Sequence, residues 1–103
     1  MYYVYVIVNE VNEIYIGYTK DLRNRMKEHN DGKNRSTKNH RWRLAYYEAF
    51  SSRLDALDRE RKLKRSSQAK RWLKERIRRS MHDQWDELSA GEALNRSPSK
   101  RRP

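Results

Sequence analysis

Tyr2-Tyr3-Val4-Tyr5-Val6-Ile7-Val8 and, after the short interval Asn9-Glu10-Val11-Asn12, Glu13-Ile14-Tyr15-Ile16-Gly17-Tyr18-Thr19 decide how this chain folds. Both runs are rich in β-branched and aromatic residues and have strand length, and the polar interval between them has hairpin length. Two antiparallel neighbouring strands follow. Period-two alternation puts Tyr3, Tyr5 and Ile7 on one face and Val4, Val6 and Val8 on the other. In the second strand Tyr15 and Gly17 oppose Ile14, Ile16 and Tyr18. One face is therefore aliphatic, and the other gathers phenols around a glycine. Glycine weakens a strand interior, so Gly17 marks either a bulge or the close approach of something, such as a ligand backbone.

Working outward, Thr19 or Asp21 can cap a helix that buries Leu22 and Met26 and stops at Gly32. Asp31 to Arg41 is a polar, basic loop, and Trp42 to Phe50 (WRLAYYEAF) reads as a third strand. Ser51 or Ser52 begins a second helix carrying Leu54, Leu57 and Leu63, with Asp55 placed for a capping box on Ser52. Ser66-Ser67-Gln68 interrupts it, and Ala69 to Arg79 forms a third helix with Trp72, Leu73 and Ile77 inward. The order β-β-α-β-α-α predicts a small α+β domain, a three-stranded antiparallel sheet flanked by helices, over residues 1–79. Residues 80–103 read as a polar, flexible tail with a helical turn around Gln84 to Leu88.

Composition taken alone points elsewhere. Leu, Ile, Val and Phe make up about 17% of the 103 residues, and the net charge is +11, a combination typical of disorder. Seven tyrosines and three tryptophans supply the buried area that the aliphatic count misses. No apolar run reaches membrane-spanning length and no signal peptide is visible. The absence of cysteine removes disulfides, thiolate zinc sites and thiol nucleophiles, and fits a cytoplasmic location. All the net positive charge precedes residue 80, where 21 basic residues face 10 acidic ones. Such a balance favours a polyanion, nucleic acid before a membrane surface. A basic amphipathic membrane binder would require Ala69 to Arg79 to act alone.

Three features exceed a structural reading. Arg25 and His29 share a helix face at i and i+4, which makes either a phosphate site or a solvated flank. Glu60 falls on or near the apolar stripe of the second helix, where a carboxylate needs a basic partner or a hard cation such as Mg²⁺. The basic stretches from Lys33 to Arg43 and from Arg59 to Arg79 offer Lys38, His40, Arg41, Arg43, Lys62, Lys64, Lys70 and Arg71 to a nucleic-acid backbone. His29, His40 and His82 lack metal-ligand spacing, and glycine-loop and nucleophile-elbow motifs are absent.

Taken in order, Tyr3-Val4-Tyr5, Tyr15-Ile16-Gly17, Arg25, His29 and Glu60 within Leu57-x-x-Glu60-x-x-Leu63-Lys64 resemble the GIY-YIG nuclease domain, in particular its small stand-alone members related to the N-terminal nuclease domain of excinuclease C. The resemblance covers roughly Tyr2 to Ile77. It implies phosphodiester hydrolysis with Mg²⁺ or Mn²⁺ and a nucleic-acid substrate, DNA before RNA. It also implies a catalytic set of Tyr5, Tyr15, Gly17, Arg25, His29 and Glu60, with Glu60 holding the metal and Gly17 giving the substrate strand room to approach. The first motif lacks the eponymous Gly and Ile, Tyr18 stands where many members carry a lysine, and the family's last asparagine has no counterpart near Gln68. A nucleic-acid-binding module that keeps the fold without turnover is the competing expectation.

Overall fold

The computed structural model describes residues 1–81, and the expected tail with its turn at Gln84 to Leu88 lies outside them. Three strands, β1 (Tyr2–Asn9), β2 (Ile14–Thr19) and β3 (Trp42–Phe50), form an antiparallel sheet in the order β2-β1-β3. The helices are α1 (Leu22–Asn30), α2 (Arg53–Arg65) and α3 (Ser67–Arg76), so the element order is β-β-α-β-α-α.

The central position of β1 explains why its sequence is almost continuously apolar. Val4, Val6 and Val8 face a core built with Ile16, Ala56, Leu63, Ala69, Leu73, Ile77 and Met81. Tyr5 and Ile7 face a second, smaller core with Trp42, bordered by Tyr15, Leu22 and Met26. Helices α2 and α3 thus cover the aliphatic face, while α1 covers the phenolic one. A strand buried on both sides has no solvent face on which to alternate polar residues.

Local side chains set the junctions. Asn9 is fully buried at the end of β1, where its Oδ1 accepts from the Val11 and Glu13 amides at 3.0 and 2.9 Å and its Nδ2 donates to Glu13 Oε1. That side chain organises the turn, in which Asn12 takes the left-handed conformation at φ 65°. Of the two expected caps of α1 the structure uses Asp21, whose Oδ1 accepts from Asn24 N, while Thr19 Oγ1 accepts from Asp21 N and steadies the cap residue. Gly32 follows α1 at φ 76°. Ser52 caps α2, and Ser66 both ends α2 and caps α3 by accepting from Ala69 N. Arg59 grips Glu48 of β3 through Nε and Nη2, and Tyr46 donates to the same carboxylate, which fastens α2 to the sheet.

Two apolar residues point away from their expected side. Trp72 is 59% exposed and Leu54 is 67% exposed. Helix α3 buries Ala69 and Leu73, and the same face continues to Ile77, so Trp72 sits one residue, about 100°, off the buried line. In α2 the seven-residue spacing of Ala56 and Leu63 sets the inward line, and Leu54 precedes it. The small Ala56, rather than a leucine, lets α2 come close to the sheet. Helical residues continue through 78–81, and Met81 is buried in the main core.

Candidate nuclease site

The phenolic face of the sheet gathers the site. Tyr5 on β1 pairs directly with Gly17 on β2, and the Tyr5 ring lies across that glycine. A Cβ on Gly17 would sit 2.3 Å from Tyr5 Oη and 2.4 Å from Tyr5 Cζ. The open space left by the glycine is therefore filled by the protein's own tyrosine, which corrects the expectation that it admits an incoming strand. Cross-strand alternation shows the glycine but not which ring closes over it.

Helix α1 lies above this pair. Its only fully buried residue, His29, meets the Tyr5 hydroxyl through Nε2 at 2.8 Å and Thr37 Oγ1 through Nδ1 at 2.7 Å. Thr37 is buried in the loop before β3, and its carbonyl accepts from Trp42 Nε1 at 2.7 Å. Tyr15 packs edge-on against both His29 and Trp42, with ring centroids 5.1 and 6.4 Å apart. Burial pushes the Tyr5 phenol up to about 12, against the opposing pull of the Arg25 charge, with Tyr15 and Glu60 adding smaller upward pushes. Burial also pulls His29 below its ordinary value, helped by Arg25 and opposed by Glu28. The result is a neutral phenol hydrogen-bonded to a neutral imidazole near neutral pH.

Two charged groups complete the cluster. Arg25 is held by Glu28 at 3.1 Å on the half-exposed flank of α1. Glu60 is half-buried on α2 and paired with Lys64 at 3.3 Å, while Lys64 Nζ lies 5.3 Å from the centre of the Tyr15 ring. A cation therefore reaches this tyrosine from α2, although Tyr18 occupies the position of the family lysine. Tyr5, Tyr15, Gly17, Arg25, His29 and Glu60 are brought into one neighbourhood from β1, β2, α1 and α2. Thr37 and Trp42 are the members that sequence reasoning missed, since nothing about a threonine in a polar loop signals burial.

The fit to a divalent cation rests on Glu60 alone. Among the described residues no group of three or more His, Asp and Glu side chains converges as a cage. One carboxylate oxygen donor suits a hard ion whose remaining positions are filled by water and substrate phosphate oxygens.

The expected phosphate contacts divide into three groups. Lys64, Lys70 and Arg71 line one cleft with Arg65, Ser67 and Lys74 at the α2–α3 elbow, and Lys64 joins that cleft to Tyr15 and Glu60. Lys62, Lys38 and Arg41 are exposed. His40 is tied to the β1–β2 turn, where its Nδ1 lies 2.6 Å from Glu10 Oε2, and the Arg41 amide donates to Glu10 Oε1 at 2.8 Å. Arg43 is half-buried and donates to the Met81 carbonyl at 2.8 Å, so the structure gives it an anchoring duty in the fold.

The Glu10 clamp carries a pH prediction. The His40 hydrogen bond, followed by the Arg41 amide, holds the Glu10 carboxyl at about 2, below its usual 4.5. A carboxyl depressed by folding supports the fold above its unfolded value and loses that support as pH falls through the folded one. The clamp is thus expected to release between about pH 4.5 and 2. The Arg41 amide resonance should titrate with a midpoint near 2, and Glu10→Gln should abolish the transition. A midpoint at the ordinary carboxylate value would show the clamp to be absent.

The fold and this constellation define a GIY-YIG catalytic domain, whose family description matches residues 1–75, and the chain belongs to that nuclease family. Within it the chain is similar to UPF0213 proteins. It is 38% identical over 74 residues to UPF0213 protein YazA of Bacillus subtilis, covering 70% of this chain and 75% of that one. It is 34% identical over 89 residues to a UPF0213 protein of Streptococcus pneumoniae, covering 82% and 90%. A UPF0213 protein of Haloquadratum walsbyi is 33% identical over 72 residues, covering 68% and 81%. No solved structure matches the chain.

Proposed function

We propose that this protein is a divalent-metal-dependent endonuclease that hydrolyses nucleic-acid phosphodiesters, with DNA as its substrate. The observation that carries this reading is the convergence of Tyr5, Tyr15, Arg25, His29 and Glu60 around Gly17 beside the basic elbow that Lys64 connects to them. Hydrolysis requires a water made nucleophilic and a developing negative charge neutralised at phosphorus. The Arg25 guanidinium supplies paired N–H donors for the non-bridging oxygens. A Mg²⁺ or Mn²⁺ ion on Glu60 would supply Lewis-acid stabilisation of the leaving oxygen. The two tyrosines are not equivalent: Tyr15 is half-buried, whereas Tyr5 has no exposed surface. A phenol near 12 is ionised in roughly one molecule in 10⁵ at neutral pH, so Tyr5 acts as a hydrogen-bonding group paired with His29 and not as a standing phenolate.

Lys70, Arg71 and Lys64 would hold the backbone without reading sequence, so binding should weaken steeply with salt. The second reading, a binding module without turnover, draws on the Lys64–Glu60 ion pair, which already neutralises the metal-binding carboxylate. Cleavage assays on single-stranded, duplex, flap and junction DNA with Mg²⁺, Mn²⁺ or chelator separate the two. Cleavage that appears with either cation and vanishes on chelation is the expected result. Salt-sensitive binding with no cleavage of any substrate would establish the second reading, and cleavage that survives chelation would refute the metal role.

A further inference from the structure

Thr37 is engaged by none of the roles above, yet it is fully buried and holds the far nitrogen of the site histidine. We propose that Thr37 is a positioning residue that fixes His29 as the Nδ1–H tautomer, so that His29 Nε2 accepts the Tyr5 hydrogen and the Tyr5 oxygen faces the site with its lone pairs. The inference rests on the nuclease reading for its functional consequence, while the tautomer itself is independent of it.

Donor counting supplies the argument. A neutral imidazole has one N–H and one acceptor nitrogen, so its two hydrogen bonds must run in one direction. If the hydrogen is on Nδ1, it goes to Thr37 Oγ1, the Thr37 hydroxyl hydrogen goes to the Asn34 carbonyl 3.5 Å away, and the Tyr5 hydrogen goes to Nε2. Every buried donor then has an acceptor. If the hydrogen is on Nε2, it goes to the Tyr5 oxygen, and the Tyr5 hydrogen faces no acceptor among the described residues other than the nitrogen that now donates to it. A buried hydroxyl hydrogen without a partner is costly, and Tyr5 has no exposed surface through which water would relieve it. The first arrangement is the one the packing favours.

Thr37 can act this way because its own backbone is fixed. Its amide donates to the Asn34 carbonyl at 3.1 Å, and its carbonyl is held by the Trp42 indole. The functional consequence is at Tyr5: with its hydrogen directed into His29, its oxygen offers only acceptor capacity to the Arg25 guanidinium.

Nitrogen-15 correlation spectra of the His29 ring, compared among the parent, Thr37→Val and Thr37→Ser, test the proposal. The parent and Thr37→Ser are expected to carry the His29 hydrogen on Nδ1. Thr37→Val, which keeps shape but loses the acceptor, strands the Nδ1 hydrogen as the other tautomer strands that of Tyr5, so the ring is expected to lose its Nδ1–H preference and populate both tautomers, with kcat lowered by roughly 10- to 100-fold at unchanged KM, the range for losing a group that orients a site imidazole. Rescue by serine would identify the hydroxyl as the operative group. An Nε2–H tautomer in the parent, or an unaltered tautomer in Thr37→Val, overturns the inference. If the valine variant does not fold, the parent spectrum and the serine variant still decide. A parent that shows the Nδ1–H tautomer but cuts no nucleic acid would sink the nuclease reading and leave the role of Thr37 standing.

Discussion

Replacing Glu60 with alanine is expected to abolish metal-dependent cleavage while leaving the fold and nucleic-acid binding in place. Glu60 stands on the same side of α2 as Ala56 and Leu63, but its side chain is only half-buried, and its ion pair among the described residues is with the exposed Lys64. Such a partly exposed i,i+4 pair is worth only about 0.3–0.5 kcal/mol, so the melting temperature should move little. Rate, in contrast, should fall by roughly 10³-fold, because no cluster of three or more ligating side chains among the described residues stands ready to hold the ion without Glu60. Arg25→Ala should lose on the order of 10²–10³ for a different reason, the missing donors at the phosphoryl oxygens. Removing the Glu60 charge also leaves Lys64 free to pair with phosphate, so binding by Glu60→Ala should be equal to or tighter than that of the parent. Single-turnover cleavage and equilibrium binding, measured on the same preparations, check both claims. A Glu60→Ala protein that cuts at the parental rate would place the metal elsewhere.

The sheet was legible because its central strand satisfies both faces: alternating valines lead to one core and Tyr5 with Ile7 to another, in a run too apolar for any other reading. The caps Asp21 and Ser52 were legible for the same local reason, since each acts on an amide within three residues, whereas Ser66, read as part of an interruption, caps α3. Helix faces were less so. Trp72 looks like a core residue by type, and only the approach of α3 to the sheet determines that Ala69 and Leu73 point inward instead. The site residues were legible as a set by resemblance, but their internal connections were not. Thr37, Asn34 and Trp42 reach the site from a loop and a strand end that sequence spacing does not relate to His29. The duties of Arg43, Arg59 and His40 were likewise invisible, because a basic residue in a basic chain gives no sign that a carboxylate or carbonyl already occupies it.

Gly17→Ala should be the most destabilising small substitution in the site, and the sign of its effect is the test. Glycine within a strand costs roughly 0.5–1 kcal/mol relative to alanine through its conformational freedom, so an alanine in open space would stabilise β2. Here the new methyl would lie 2.3 to 2.9 Å from Oη, Cζ and Cε2 of Tyr5. Two ring carbons and the hydroxyl oxygen clash, so the whole side chain must move, and it is sealed between β2, α1 and the second core. Overpacking of this kind costs about 1–3 kcal/mol, which corresponds to a fall in melting temperature of roughly 4–8 °C per kcal/mol for a domain of this size. Any displacement of the ring also breaks the 2.8 Å contact with His29, so cleavage should fall together with stability. A double-mutant cycle isolates the cause: in a Tyr5→Ala background the space over Gly17 is open, and the same glycine-to-alanine change should turn neutral or stabilising. A melting temperature unchanged in Gly17→Ala, or an equal penalty in both backgrounds, would mean that the Tyr5 ring does not lie across Gly17 and that the cluster is assembled in some other way.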